Sequence, residues 1–226
     1  MNFAGNFKYI GNVDATMLVQ LVAQLTEEQW NNDLFRQKEY NVHEDTQTIG
    51  LVFDRDFRHS HPTRMPALQV FEKALGPVLS IVADHYENSI EGQSLIQEFG
   101  LGYFVRASLV RLIAGGQIPK HRDHYFSLSH SHRIHVPVTT NDKVAFRVGK
   151  ETIYMRPGEL TEINNRRPHN VSNNGDDGRV HLILDFVLPG EKCCCGAKLH
   201  PNTLCSPQAC ADTLQRRIPC TCFPED

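Results

Sequence analysis

The residues most able to do chemistry are crowded into one short segment. KHRDHYFSLSHSHRIHVPV, residues 120–138, holds His121, His124, His130, His132 and His135, five of the chain's twelve histidines. Within it, His121-Arg122-Asp123 stands out. In an extended segment, residues i and i+2 project to the same side. One imidazole and one carboxylate therefore face a common point. That is two-thirds of a 2-His-1-carboxylate facial triad, the arrangement that holds non-haem Fe(II) and leaves coordination positions open. The third ligand must come from a distant strand, and His169, in RRPHNV, is the candidate. His-Arg-Asp also occurs in the catalytic loop of protein kinases. That reading fails, because no Gly-rich loop precedes it and residue 128, five beyond Asp123, is Leu rather than Asn.

Arg179 opens RVHLILDFV, ten positions beyond His169. A strand placed there can run beside the one near His169 and point a guanidinium inward. A buried Arg requires an anionic partner, and a dicarboxylate held as a bidentate pair would provide one. Arg133 and His135, again i and i+2, form a second cationic or donor pair on one side of a strand. His124, His130 and His132 read as residues of the loop between the metal motif and the next strand, a loop placed to roof a pocket. His181 shares the face of Arg179, as support for the site or as a satisfied core histidine. Asp185 reads as structural. Arg106 and Arg111 lie on the strand entering the site, where either could meet an acidic substrate, and Asn164 and Asn165 read as turn residues.

The elements that position these groups change character along the chain. Residues 14–30 carry apolar side chains at helical spacing, with Asp14 available as a cap. Residues 48–53 read as a buried strand. Residues 66–86 read as a second helix, with Gly76-Pro77 expected to kink or break it. From residue 103 the period becomes that of strands: 103–113, 133–138, 144–148, 152–155, 159–163 and 179–187, separated by turn residues. Helices followed by many short strands predict a mainly β fold, a barrel or double-sheet jelly roll with N-terminal helices packed against it.

The chain has 226 residues, a formal net charge of −3 and 40% hydrophobic residues, enough for a full core and without the charge of a polyanion-binding surface. No nucleic-acid or membrane partner is expected, and a cytoplasmic location is, since the N-terminus lacks a signal peptide's apolar core. All seven cysteines lie at or beyond residue 193. The composition divides the chain into residues 1–190, helical over 1–100 with a β core over 101–190, and a Cys-rich tail, 191–226. The tail has three readings. It could hold a structural zinc through Cys205, Cys210, Cys220 and Cys222 with His200 nearby, although the spacing is not a paired C-x2-C. It could carry reactive thiols without fixed structure. It could fold over the site.

HRD, RIHVPV, MRPGELTEINNRRPHNVSN and RVHLILDFV, taken together, resemble the aspartyl/asparaginyl β-hydroxylase family over residues 101–188. The resemblance implies a double-stranded β-helix (cupin-like) and an Fe(II)- and 2-oxoglutarate-dependent dioxygenase. It implies His121, Asp123 and His169 as catalytic metal ligands, Arg179 on the distal carboxylate of 2-oxoglutarate, and Arg133 and His135 at its reacting end. Some members have no carboxylate where this chain has Asp123, and related halogenases open that position to halide. Keeping Asp123 favours hydroxylation. The implied reaction takes O2 and 2-oxoglutarate, yields succinate and CO2, and hydroxylates a C–H bond of an amino acid or of an amino-acid residue in a peptide. A fatty-acyl or other small-molecule substrate is the alternative within enzymes. A metal-binding cupin-like sensor without turnover is the alternative outside them. Oligomeric state is open.

Overall fold

A computed structural model describes residues 3, 5–32, 41–55, 58, 61–123, 128 and 131–191. The expectations for the Cys-rich tail, including its zinc, and for His124 and His130 lie outside the described residues.

Eleven strands among the described residues form two antiparallel sheets. They are β1 (Phe7–Asn12), β2 (Thr46–Phe53), β3 (Thr63–Arg64), β4 (Tyr103–Leu112), β5 (Gln117–His121), β6 (His132–Thr139), β7 (Val144–Val148), β8 (Glu151–Ile153), β9 (Glu159–Ile163), β10 (His169–Asn173) and β11 (Arg179–Val187). The larger sheet runs β1-β9-β6-β11-β4-β2-β3 and the smaller β5-β10-β7-β8. This is the expected double-stranded β-helix with helical buttresses. The helices are α1 (Thr16–Ala23), α2 (Glu27–Trp30), α3 (Leu68–Glu87) and α4 (Ile90–Phe99).

Strand alternation divides the large sheet into two chemically different faces. Val180, Leu182, Leu184 and Phe186 of β11, Ile134, Val136 and Val138 of β6, and Ala107 and Leu109 of β4 join one apolar core with Leu18, Phe71, Leu75, Val78 and Val82 of the helices. The residues between them, Arg179, His181 and Asp185 on β11 and Arg133 and His135 on β6, fall on the other face, toward the small sheet. Apolar packing between the sheets is correspondingly reduced to Leu112, Ile118, Val144, Phe146, Val148, Met155, Ile163 and Val171. The helices therefore carry most of the apolar burial, and the space between the sheets is shared between this smaller apolar cluster and polar groups.

Several elements differ from the sequence reading. The helix expected over 14–30 is two helices. Thr26 Oγ1 accepts from the Gln29 N–H at 3.2 Å and Gln29 Oε1 accepts from the Thr26 N–H at 2.8 Å, a reciprocal capping box that starts α2. Helix α3 runs unbroken past Gly76-Pro77, because both residues face solvent. Water there can serve the carbonyl that Pro77 leaves without its helical donor. Strand β1 and helix α4 carried too weak a pattern to be read. β1 has six residues, with Gly11 beside a bulge in its register, and α4 buries only Gly92.

Candidate metal centre

The register of the small sheet places the metal motif. β5 ends on His121, β10 begins on His169, and the two residues are paired directly across the antiparallel ladder. Directly opposed residues share a face, so both imidazoles enter the same space, with ring centroids 4.3 Å apart. Asp123 follows two residues on, and its N–H donates to the carbonyl of Asn165 at 3.2 Å, tying the end of this segment to the turn before β10. One ligand atom from each of His121, Asp123 and His169 lies within 4.8 Å of the others. The carboxylate sits between the rings, 3.9 Å from Nε2 of His121 and 3.9 Å from Nε2 of His169.

The surroundings set the donor state of each group. Nδ1 of His121 lies 2.7 Å from the Pro119 carbonyl and Nδ1 of His169 lies 3.0 Å from the Arg167 carbonyl. A carbonyl accepts only, so each ring carries its proton on Nδ1 and turns an Nε2 lone pair toward Asp123. Burial pushes His169 down to about 4, against the pull of Asp123, so that ring is neutral at physiological pH. Asp123 is 7% exposed, and burial would raise its pKa. The Arg133 guanidinium and the Asn165 amide outweigh that and hold it below the usual carboxylate range. Two imidazole lone pairs and one ionised carboxylate converging from one side are the donor set that suits Fe(II).

Asp123 is oriented by two further side chains. Arg133 donates from Nη1 to its Oδ2 at 2.6 Å and spans Asp185 through Nε and Nη2, both at 2.8 Å. Asn165 donates from Nδ2 to the same Oδ2 at 3.1 Å and to the Leu128 carbonyl at 2.6 Å. Asp185, read from sequence as structural, is thus the bidentate seat of Arg133. Asn165, read as a turn residue, also holds a candidate metal ligand. The only signal for it was its place four residues before His169. Groups that orient metal ligands typically matter 10–100-fold in affinity. Asn165→Ala should therefore weaken metal binding by about 10-fold or more, measured by competition against a chelator of known affinity. An unchanged affinity would reduce Asn165 to a turn residue.

Away from the metal cluster the same inner face carries Arg179 and His135. Arg179 is 0% exposed, and Nε, Nη1 and Nη2 all lack a partner among the described residues. Burial alone pulls its pKa down, to about 9, with no carboxylate among the described residues to offset it. His135 is buried, 4.9 Å from the Phe146 ring, with Nδ1 3.4 Å from Nδ1 of His181. The 3-10 turn Asn41–His43, not anticipated from sequence, sets the His43 ring 6.0 Å from that of His121.

Other expected neighbours lie elsewhere. His132 is not a loop residue but the first residue of β6, on the helix-facing side. It is stacked at 3.9 Å on Tyr86, with Nδ1 2.7 Å from Glu162 and Nε2 2.8 Å from Glu191. Arg111 is on the outer face, where it grips Glu27 of α2 at 2.6 Å and covers the Trp30 ring at 4.8 Å. Arg106, on the inner face, donates to Asp54 at 2.6 Å.

Residues 91–189 match the sequence model of the aspartyl/asparaginyl beta-hydroxylase family. The resemblance carried by HRD, RIHVPV and RVHLILDFV therefore holds over that stretch. Among solved structures, a 2OG-Fe(II) oxygenase family oxidoreductase from Burkholderia pseudomallei superposes with a TM-score of 0.53 at 14% identity, covering 76% of this chain and 77% of that one. That likeness establishes the fold. A Pseudomonas putida prolyl-4-hydroxylase aligns at a TM-score of 0.47 and 13% identity, over 83% of this chain and 95% of that one. No curated protein sequence matches the chain.

Proposed function

We propose, starting from the match of residues 91–189 to the aspartyl/asparaginyl β-hydroxylase family, that this chain is an Fe(II)- and 2-oxoglutarate-dependent dioxygenase. Its substrate would be an amino acid or an amino-acid residue of a peptide, hydroxylated at carbon. The observation that carries the reading is Arg179. A fully buried guanidinium with no protein partner among the described residues, on the face that also bears the residues around the metal cluster, is explained by an anion that arrives with the cosubstrate. A barrel that only bound metal would have no use for it.

His121, Asp123 and His169 would hold Fe(II), which when bound supplies the activation of O2 that couples oxidative decarboxylation of 2-oxoglutarate, to succinate and CO2, to C–H hydroxylation. The rest falls to the chain's own side chains. Arg179 would take the distal carboxylate with two parallel N–H donors. Arg133 uses three of its five N–H donors on Asp123 and Asp185. Its remaining two, with His135 alongside, would border the reacting end of the cosubstrate. The ion pairs of Arg133 fix Asp123, so the carboxylate cannot swing away when the pocket fills. Leu112, Ile118, Phe146 and Val171 line the space between the sheets and keep it poor in water.

The test needs no substrate. The purified chain, stripped of metal, receives Fe(II) and then 2-oxoglutarate under anaerobic conditions while its visible spectrum is recorded. A weak absorption band that requires both additions and is missing in His121→Ala is expected. Iron binding without the band would defeat the cosubstrate assignment. Absence of iron binding would defeat the metal centre.

A further inference from the structure

His181 has a role that the reading above does not use. It is 1% exposed, sits two residues from Arg179 on the same inner face of β11, and its Nε2 has no partner among the described residues. On its other side, its Nδ1 lies 3.4 Å from Nδ1 of His135. Strand β11 thus presents, along one face, Asp185 beside the metal cluster, then Ile183 opposite His135, then His181, then Arg179. A dicarboxylate reaching from the metal cluster toward Arg179 passes His181 on the way.

The two facing Nδ1 atoms restrict the protons. At this separation both cannot carry hydrogen, and two bare lone pairs would repel, so one proton lies between them. If His135 donates, His181 accepts at Nδ1 and carries its own proton on Nε2. If His181 donates, its Nε2 is a lone pair. Beside an anion held by Arg179 the first arrangement is the favourable one, since a lone pair on Nε2 of His181 would face carboxylate oxygens, and His135, whose Nε2 then carries no hydrogen, packs beside the reacting end without donating to it. We infer that His181 Nε2–H is a second donor to the distal carboxylate of the cosubstrate, so that Arg179 and His181 together form the cradle that selects a 2-oxo dicarboxylate over a 2-oxo monocarboxylate. The four unpartnered nitrogens at this end of the barrel, three on Arg179 and one on His181, are then accounted for by one ligand group.

This assignment rests on the proposed 2-oxoglutarate dependence, and the test separates the two. Calorimetry on the full chain loaded with Zn(II) measures binding of 2-oxoglutarate and of 2-oxovalerate, its analogue without the distal carboxylate. His181→Leu, which keeps volume and loses the donor, should weaken 2-oxoglutarate about tenfold or more, the cost of a hydrogen bond to a charged group. Its binding of 2-oxovalerate should be unchanged. His181→Gln, which keeps an N–H, should recover most of the loss. Equal weakening of both ligands, or none, would overturn the role of His181. Failure of the unaltered protein to bind 2-oxoglutarate would overturn the cosubstrate assignment, and this role with it. A second measurement needs no disruptive variant. In 15N-histidine-labelled protein with Zn(II), 2-oxoglutarate should bring out an imidazole N–H signal that 2-oxovalerate does not, and that is missing from His181→Gln. No such signal would overturn the inference.

Discussion

Arg133→Leu is expected to destabilise the fold by about 3–5 kcal/mol, the cost of breaking a buried ion pair from one side. Arg133 stands between two carboxylates. Asp123 is 9% and Asp185 1% exposed at the side chain, and the guanidinium contacts both, at 2.6 and 2.8 Å. Without it, Asp185 loses both of its bidentate donors, and Asp123 keeps only Asn165. Two buried carboxylates then lie near each other without a compensating charge. Against a typical total stability of about 5–15 kcal/mol, a loss of that size is severe. The midpoint of urea unfolding measures it. A divalent metal should rescue part of the loss, because it supplies to Asp123 the positive charge that Arg133 no longer does, so added Zn(II) should raise the midpoint more for the variant than for the unaltered chain. A shift below about 1 kcal/mol would mean the two carboxylates are better solvated than their burial implies.

The candidate metal ligands were legible in the sequence because their geometry is local. His-x-Asp at the end of an extended segment puts both side chains on one side whatever the rest of the chain does, and His169 was the histidine best placed to answer them. Arg179 was legible for a related reason: a cation opening a mainly apolar strand predicts a buried charge in need of an anion. What the sequence could not supply was register. That His121 and His169 oppose each other across the β5–β10 ladder, that Arg133 reaches both Asp123 and Asp185, and that Asn165 ties the two ends of the site all depend on strands far apart in the chain. The same limit misplaced His132. It is adjacent to Arg133, and in a strand neighbouring residues face opposite sides of the sheet. It therefore packs on Tyr86 beneath the helices, while Arg133 faces the metal cluster. Arg111 was misjudged by the same parity. The helix boundaries failed for another reason. Apolar spacing continues from α1 into α2, so the break shows only in the Thr26–Gln29 capping box, where side-chain hydrogen bonding to the backbone wins over periodicity.

Arg179→Met should do the opposite of Arg133→Leu to stability while having the larger effect on the cosubstrate. Both arginines are on the inner face of the same sheet, but their surroundings differ in one respect. Arg133 is surrounded by carboxylates that hold it charged, whereas burial alone governs Arg179 and draws its pKa down, to about 9. A buried cation without a partner is a cost to the free protein, and a well-packed apolar residue of similar volume removes that cost. The variant without cosubstrate is therefore expected to melt at or above the temperature of the unaltered chain, by a few degrees for each kcal/mol recovered at this size (about 2–4 °C). Its affinity for 2-oxoglutarate should fall roughly 100-fold or more, since two charge-assisted hydrogen bonds at about 1.5–3 kcal/mol each are lost together. Saturating 2-oxoglutarate should accordingly raise the melting temperature of the unaltered protein and leave that of the variant in place. A structural role for Arg179 predicts the reverse pattern, with lower melting in the variant and ligand stabilisation retained. Thermal unfolding with and without 2-oxoglutarate, on the two proteins side by side, distinguishes them by the sign of both shifts, because strain of this kind is kept in a fold only where a ligand relieves it.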